Sequence, residues 1–423
     1  MKRVMQPDSG TPWALTLALL AAWTTLNAFG LWNNWAEDLA AVYVAGWFWD
    51  HGQPDLIYAA PKQFFGGQAE SWAPLVKSLG GQGVGAFPFV YPPLWAVVAA
   101  PLTGFLSATA FFNAMLVLQT ALLGYGLVVA HRLVRPALPL WKWLVVGCAL
   151  FQISVPFVTA MKQCQPSITV AVLTLLAVER SVNGAPRRAG AYLALAAAIK
   201  LTPALFVLIF LQRRDWTALR WFAATGLALG VCSLALAGLQ AHLDFLHSLS
   251  LASSATLVSS INVSARSIVD YALVLMGSEP VREAKRFYIF SLPQGVRLVS
   301  MVVNIVAFAT VFVWFQQKAR VLPPLAATVV CTFVLSVGVP LFGPLGWQHY
   351  YLLPMLLFPC LSVIATPRQL LVVALPVLAA ENIGSFAYML DANWSPPLYV
   401  SLAVSSWLIA VFLVGKRIGP AYS

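Results

Sequence analysis

Charge is what this chain has least of. Of its 423 residues 9% are charged and 14 are acidic, against 60% hydrophobic and a mean hydropathy of +0.80. The length would accommodate two or three soluble domains. The shortage of charge excludes them, because apolar runs of about 20 residues, each able to cross a bilayer as a helix, recur along the whole chain. Period-2 alternation is missing as well, which excludes a membrane β-barrel. The five cysteines (Cys148, Cys164, Cys232, Cys331, Cys360) are scattered, mostly within apolar runs, and no Cys-x-x-Cys occurs. They read as small packing residues rather than disulfide partners or metal ligands. His242 and His247 are five apart, and His51 lies near Asp50 and Asp55, a spacing that fits no standard metal site. Asp-x-Asp and a glycine-rich phosphate loop before a helix are also absent. No metal and no cofactor is expected.

What remains is an all-α polytopic membrane protein, a single integral membrane domain over residues 1–423 with about 10–13 membrane helices. The net charge of +11 resides in short clusters between apolar runs: Lys2-Arg3, Arg132/Arg135, Arg187-Arg188, Arg213-Arg214, Lys318/Arg320, Arg368 and Lys416-Arg417. That is the positive-inside pattern. No basic stripe carries interleaved aromatics, so nucleic acid is not an expected partner. No small-residue cleavage site follows the N-terminal apolar run, which reads as the first span over 13–32. Two large extracytoplasmic loops are then expected, 33–88 and 239–295. Further spans are expected near 108–131, 143–160, 167–183, 219–238, 296–315, 322–342, 351–366, 370–390 and 398–415.

Two segments resist a one-span reading. Phe89–Leu106 is short and carries Pro92, Pro93 and Pro101; the flanking charges require it to dip in and return. The stretch 190–211 lies between two basic pairs and is broken by Lys200-Leu201-Thr202-Pro203. It is expected to form a hairpin of two arms of about 11 residues, each covering about half the bilayer. Irregular backbone at that depth is tolerated where it lines a cavity or is buried in protein.

With acids so scarce, the pair Glu37-Asp38 at the start of the first loop is a functional-site candidate. The surrounding residues 35–46 read as a short amphipathic helix on the membrane surface, and an acid favoured by a helix dipole is the alternative. The other polar residues that stand out are Gln163/Gln165, Asn262/Arg266 and His349, with Lys200 expected to point towards them.

At these residues the chain resembles a known family. Asp38 to Tyr58, with His51-Gly52-Gln53-Pro54 and Leu56-Ile57-Tyr58, is followed by Phe89-Val90-Tyr91-Pro92-Pro93-Leu94 and Ala196-Ala197-Ala198-Ile199-Lys200-Leu201-Thr202-Pro203. In order and spacing these resemble glycosyltransferase family 87, up to about residue 215 and more loosely through Asn262–Arg266 and His349. One departure is Cys164-Gln165-Pro166-Ser167, where the family often has a Gly-Gln-x-Asn-like turn. The resemblance implies a GT-C-type helical bundle and a hexosyltransferase, mannosyltransferase-like. It implies a polyprenyl-phosphate sugar as donor, a lipid or glycan as acceptor, and membrane lipids as surroundings. It also implies a catalytic acid in the first loop, which falls on Asp38. The expected location is a bacterial inner (plasma) membrane, with the site facing the periplasm or exterior.

Transfer from a sugar phosphate needs a base for the acceptor hydroxyl, which one carboxylate can supply. Phosphate is already an acceptable leaving group, so the second carboxylate that glycosidases use is not required. An inverting single displacement with Asp38 as base is the simplest scheme. The departing phosphate needs cations. Lys200 and Arg266 are the candidates, and His349 is a phosphate donor or second proton acceptor. Glu37, Tyr91, Gln165 and Asn262 are the expected pocket residues. Each has a plainer alternative: a snorkelling lysine, a solvated loop arginine, an aromatic-belt histidine, an interfacial tyrosine. Two other functions remain open, a lipid-linked glycan flippase or transporter with polar residues in broken helices, and an oligosaccharide ligase or polymerase.

Overall fold

The computed structural model describes residues 13–62, 64–277, 283–284, 287–389 and 395–418. Its helices in chain order are α1 (Trp13–Gly30), α2 (Glu37–Asp50), α3 (Ala73–Ser78), α4 (Leu94–Phe105), α5 (Ala108–Val134) and α6 (Leu140–Gln152). There follow α7 (Val155–Lys162), α8 (Ser167–Val182), α9 (Pro186–Ile199), α10 (Val207–Gln212), α11 (Trp216–Ser254) and α12 (Ala265–Met276). The chain continues with α13 (Gln294–Ala319), α14 (Pro324–Phe342), α15 (Leu352–Leu357), α16 (Pro367–Met389) and α17 (Pro396–Arg417). A small antiparallel sheet, in the order β1 (Thr256–Val258), β3 (Phe287–Phe290), β2 (Glu283–Ala284), lies between α11 and α13. The protein is an all-α polytopic membrane protein. Among the described residues α1, α5, α11, α13, α14, α16 and α17 are long and apolar enough to cross a bilayer, and the bent pair α6–α7 makes an eighth if it is one span. The shorter helices pack among these.

Burial sorts the spans into layers. In α14, 83% of the apolar window is buried within the protein, whereas the figures for α11 and α13 are 11% and 17%. α14 is therefore an inner helix, and α11 and α13 expose leucines and valines that lipid solvates as well as a protein neighbour would.

Proline accounts for most of the breaks. Pro203 has no N–H for the Ile199 carbonyl, so α9 stops at Ile199 and Lys200 turns to extended backbone, φ −138°, ψ 137°. The chain then doubles back through a 3₁₀ turn (Thr202–Phe206) and α10. Both ends of the hairpin meet the end of α8. Ser181 Oγ donates to Asp215 at 2.7 Å, and Arg213 Nε donates to Ser181 Oγ at 3.1 Å. The hairpin's first arm, α9, has 14 residues and is about 21 Å long, some two thirds of a bilayer core. Gly190 lets α11 close on it: a Cβ there would lie 2.2 Å from the Ala218 carbonyl oxygen.

The same reasoning revises three expectations. Residues 143–160 are two helices bent by 76° ahead of Pro156, not one straight helix. Residues 351–366 are a buried broken segment, α15 between 3₁₀ turns at Gln348–Tyr351 and Pro359–Val363, because Pro354 and Pro359 withhold two donors. Residues 239–254 remain helical in α11, which kinks at Gly238, φ 76°, ψ 168°.

α2 and α4 form a layer too short to span. Gly46 sits against Ala99, where a Cβ would be 2.8 Å from the Ala99 Cβ. Tyr43 of α2 donates to the Leu106 carbonyl just beyond α4 at 2.7 Å. α2 starts at Glu37 but does not lie on the surface as an amphipathic helix. Leu39, Ala40, Ala41, Tyr43, Val44, Ala45, Gly46 and Phe48 are all buried. Its alanines and glycine allow close approach on several sides at once.

Candidate active site

The turn between α7 and α8 organises the site. Cys164 adopts φ 46°, the left-handed conformation that glycine takes without strain. It stands where the resembled family often has glycine. With Cys164 turned this way, the flanking glutamines diverge. Gln163 Nε2 donates to Glu37 Oε2 at 3.2 Å, and its Oε1 accepts from the Asp38 amide at 3.3 Å. The turn is thus fastened to the first residues of α2. Gln165 points the other way, towards α4 and the hairpin tip.

Three donors converge on Gln165 Oε1: Tyr91 OH at 3.2 Å, Lys200 Nζ at 3.4 Å and Ser167 Oγ at 3.4 Å. Lys200 also donates to Ser167 Oγ at 2.8 Å. Its ammonium lies 4.2 Å from the Tyr350 ring centroid and 5.8 Å from that of Tyr91, within cation–π range. Among the described residues no carboxylate oxygen lies within 4 Å of Nζ. The Tyr91 loop is held in turn by Tyr58, whose hydroxyl donates to the Tyr91 carbonyl at 2.8 Å.

Asp38 lies in the same constellation, its carboxyl within electrostatic reach of Gln165 and Lys200. It is half-buried. Burial pushes its carboxyl up to about 6; the neighbouring Gln165 amide and the Lys200 charge oppose that rise, and Glu37 adds to it. His349 occupies the 3₁₀ turn before α15, stacked at 6.4 Å on Trp347 and edge-on to Tyr350 at 4.8 Å. Burial and the Lys200 charge drive its pKa well below the usual histidine value, so the ring is neutral. Its Nε2 is buried without a hydrogen-bond partner.

Asp38, Glu37, Tyr91, Gln165, Lys200 and His349 therefore belong to one neighbourhood. Arg266 and Asn262 are engaged elsewhere. Arg266 Nε is 3.5 Å from Asp270 Oδ2, and Asp270 also accepts from Thr256 and Ser300. Asn262 donates to the Leu257 carbonyl and accepts from the Gly346 amide, both at 2.7 Å, which ties the 255–264 loop to 343–348. Among the described residues no three His, Cys, Asp or Glu side chains gather as metal ligands would. Sequence reasoning gave no role to Ser167 or Tyr350, and singled out Gln163 only as a polar residue beside Gln165. Ser167 had a usable signal, its place two residues from Gln165 in a polar turn, and Tyr350 adjoined a residue already singled out.

A carboxylate with a raised pKa beside an ammonium free of carboxylate contact can accept a proton and hold an anion at once. The profile of glycosyltransferase family 87 matches residues 89–341, a range holding Tyr91, Gln165 and Lys200 but neither Asp38 nor His349. A curated relative, the polyprenol-phosphate-mannose-dependent alpha-(1-2)-phosphatidylinositol mannoside mannosyltransferase of Mycolicibacterium smegmatis, is 26% identical over 312 residues. That alignment takes in 68% of this chain and 64% of the relative, so the chain spans just under two thirds of the relative's length. The family profile covers well over half of the chain and contains the turn, the tyrosine and the hairpin tip that meet at Gln165: the chain belongs to glycosyltransferase family 87.

Proposed function

We propose that the protein transfers a hexose, mannose in the first instance, from a polyprenyl-phosphate donor to a lipid or glycan acceptor. The observation that carries this reading is the juxtaposition of Asp38 and Lys200, electrostatically coupled, with Lys200 held by Gln165 and Ser167. Family membership and the relative's named donor support it. Asp38 removes the proton of the acceptor hydroxyl as that oxygen bonds to the sugar C1. The C1–O bond to phosphate breaks on the opposite face, its electron pair leaves with the phosphate, and the configuration inverts. Lys200 holds the departing phosphate. His349, neutral and with Nε2 unpartnered, is placed to hydrogen-bond a sugar or acceptor hydroxyl.

The working face is extracytoplasmic in this reading, in a bacterial inner membrane. The hairpin separates Lys200 from the basic residues at its other end. There Arg213 bonds Ser181, Arg180 pairs with Glu179, and Arg135 bonds Asn183. Basic clusters of that kind mark a cytoplasmic end. Convergence of carboxylate, ammonium and imidazole in one neighbourhood supports an enzyme over a transporter, whose polar groups would be distributed along a path.

The experiment is incubation of purified protein with a panel of polyprenyl-phosphate sugars and a glycolipid acceptor, followed by product analysis. Transfer, or slow hydrolysis without acceptor, is expected from at least one hexose donor. Transfer from a nucleotide sugar and from none of the panel would overturn the reading.

A further inference from the structure

We propose that the Tyr350 hydroxyl is a second hydrogen-bond donor to the phosphate of the polyprenyl-phosphate sugar, acting beside the Lys200 ammonium. The inference rests on the reading of Lys200 as the phosphate ligand and extends it. Two tyrosine rings flank that ammonium, Tyr350 with its centroid at 4.2 Å and Tyr91 with its centroid at 5.8 Å. Their hydroxyls differ. Tyr91 OH is committed to Gln165 Oε1 at 3.2 Å. Tyr350 OH has no hydrogen-bond partner among the described residues. It is not one of the sealed polar atoms left without a partner, and the residue is only half-buried. Its donor is therefore open to a ligand.

The ammonium alone cannot satisfy a phosphate. It has three N–H groups. One goes to Ser167 Oγ at 2.8 Å and a second to Gln165 Oε1 at 3.4 Å, which leaves one for an anion. Arg266, the other cation expected from the sequence, is occupied by Asp270. The Tyr350 hydroxyl stands at the rim of the ring beside the ammonium, which sets the two donors about 4–6 Å apart; one phosphate, with an oxygen about 2.8 Å from each donor, bridges that gap. The ring is held for the purpose. The Tyr350 amide donates to the Trp347 carbonyl at 2.8 Å, and the His349 ring packs edge-on at 4.8 Å. Burial, and after it the Asp38 charge, raises the Tyr350 pKa above the usual tyrosine value, so the hydroxyl keeps its proton.

The reaction increases the demand for this donor. In the sugar donor the phosphate is a diester with a single negative charge. When the C1–O bond breaks, its electron pair stays on the phosphate, which becomes a monoester of charge about −1.5 to −2. A hydrogen bond from Tyr350 strengthens as that charge develops, and so stabilises the transition state more than the bound donor. No bond to the tyrosine oxygen forms or breaks.

Tyr350→Phe keeps the ring against which Lys200 sits and removes only the oxygen. The test measures binding of polyprenyl phosphate, polyprenyl-phosphate mannose and the parent polyprenol to purified wild type and variant, with a ligand-free melting curve for each. The melting temperature should stay at the wild-type value, because the hydroxyl has no protein partner to lose. Polyprenyl phosphate should bind the variant about 10-fold or more weakly, the mannosylated donor should lose no more than that, and polyprenol should bind as before. Wild-type affinity of the variant for polyprenyl phosphate would overturn the proposal. So would a loss confined to the mannosylated donor, which would place the hydroxyl on the sugar, or a loss shared by polyprenol, which would place it on the chain. A clear drop in the ligand-free melting temperature would assign the hydroxyl a structural contact and overturn the proposal as well. Failure of the underlying reading looks different: Lys200→Met then binds polyprenyl phosphate as tightly as the wild type.

Discussion

Replacing Lys200 by methionine separates an anion-binding lysine from a structural one. The ammonium accounts for a 2.8 Å hydrogen bond to Ser167, a 3.4 Å contact to Gln165 and a cation–π contact with Tyr350 at 4.2 Å. Methionine forfeits these, worth about 1.5–3 kcal/mol for the charged hydrogen bonds and about 1–2 kcal/mol for the ring contact. It also relieves the burial of a charge, which at the centre of a membrane helix is worth about 2.5–3.5 kcal/mol. The terms offset, so the ligand-free melting temperature should stay close to wild type or rise. Donor binding should change far more. A charge-assisted contact to phosphate worth about 2 kcal/mol corresponds to about 30-fold in Kd. Donor present at about 100 times the wild-type Kd stabilises the wild type by about 2.7 kcal/mol. At the same concentration the variant would be stabilised by about 0.9 kcal/mol. Melting curves in detergent with and without polyprenyl-phosphate mannose read both quantities. A variant that melts well below wild type without donor, yet keeps the full donor-induced shift, would show Lys200 to be structural and refute the phosphate assignment.

Asp38→Asn should lower transfer by at least about 10²-fold while the melting curve stays intact; near-normal product formation rules out Asp38 as the base. Glu37→Gln should cost less activity, because adjacent helical residues point about 100° apart and Glu37 faces Gln163 rather than Gln165. Gly190→Val should destabilise the protein by about 1–3 kcal/mol or more, since the added atoms meet the α11 backbone at Ala218 and Phe222; unchanged thermal stability would contradict the close α9–α11 crossing. Single cysteines at Ala185 and Arg214 should label from the same side of the membrane, because both positions adjoin the α8 end. Labelling from opposite faces would exclude the hairpin.

The fold and the site were legible to different depths, and for different reasons. Charge reports on ends. Two basic pairs around 190–211 and a proline after Lys200 were enough to expect a chain that doubles back, because both signals are local. Hydropathy reports on solvent, and solvent does not distinguish a straight buried helix from a broken one. Residues 351–366 and 143–160 are mostly apolar and carry no charge, yet only the positions of Pro156, Pro354 and Pro359 distinguish bent or interrupted segments from straight helices. The kink in α11 had even less signal, a lone Gly238 in a run that stays helical on both sides.

Within the site, scarcity was the useful guide. A carboxylate pair among 14 acids and a lysine inside an apolar run stand out against their surroundings. The roles of Gln165, Ser167 and Tyr350 depend instead on three distant stretches, near 38, 165–200 and 350, arriving at one place. No residue-type pattern encodes that arrival. Arg266 illustrates the converse. Its charge suggested a phosphate ligand, but Asp270 lies one helical turn further on the same helix, and the i,i+4 pair was present in the sequence. A cation with a built-in neighbouring carboxylate has its charge already balanced, whereas Lys200 has hydroxyl, amide and aromatic neighbours and, among the described residues, no carboxylate contact. In a membrane protein with few charges, the better predictor of an anion site is the cation whose local sequence offers it no acid.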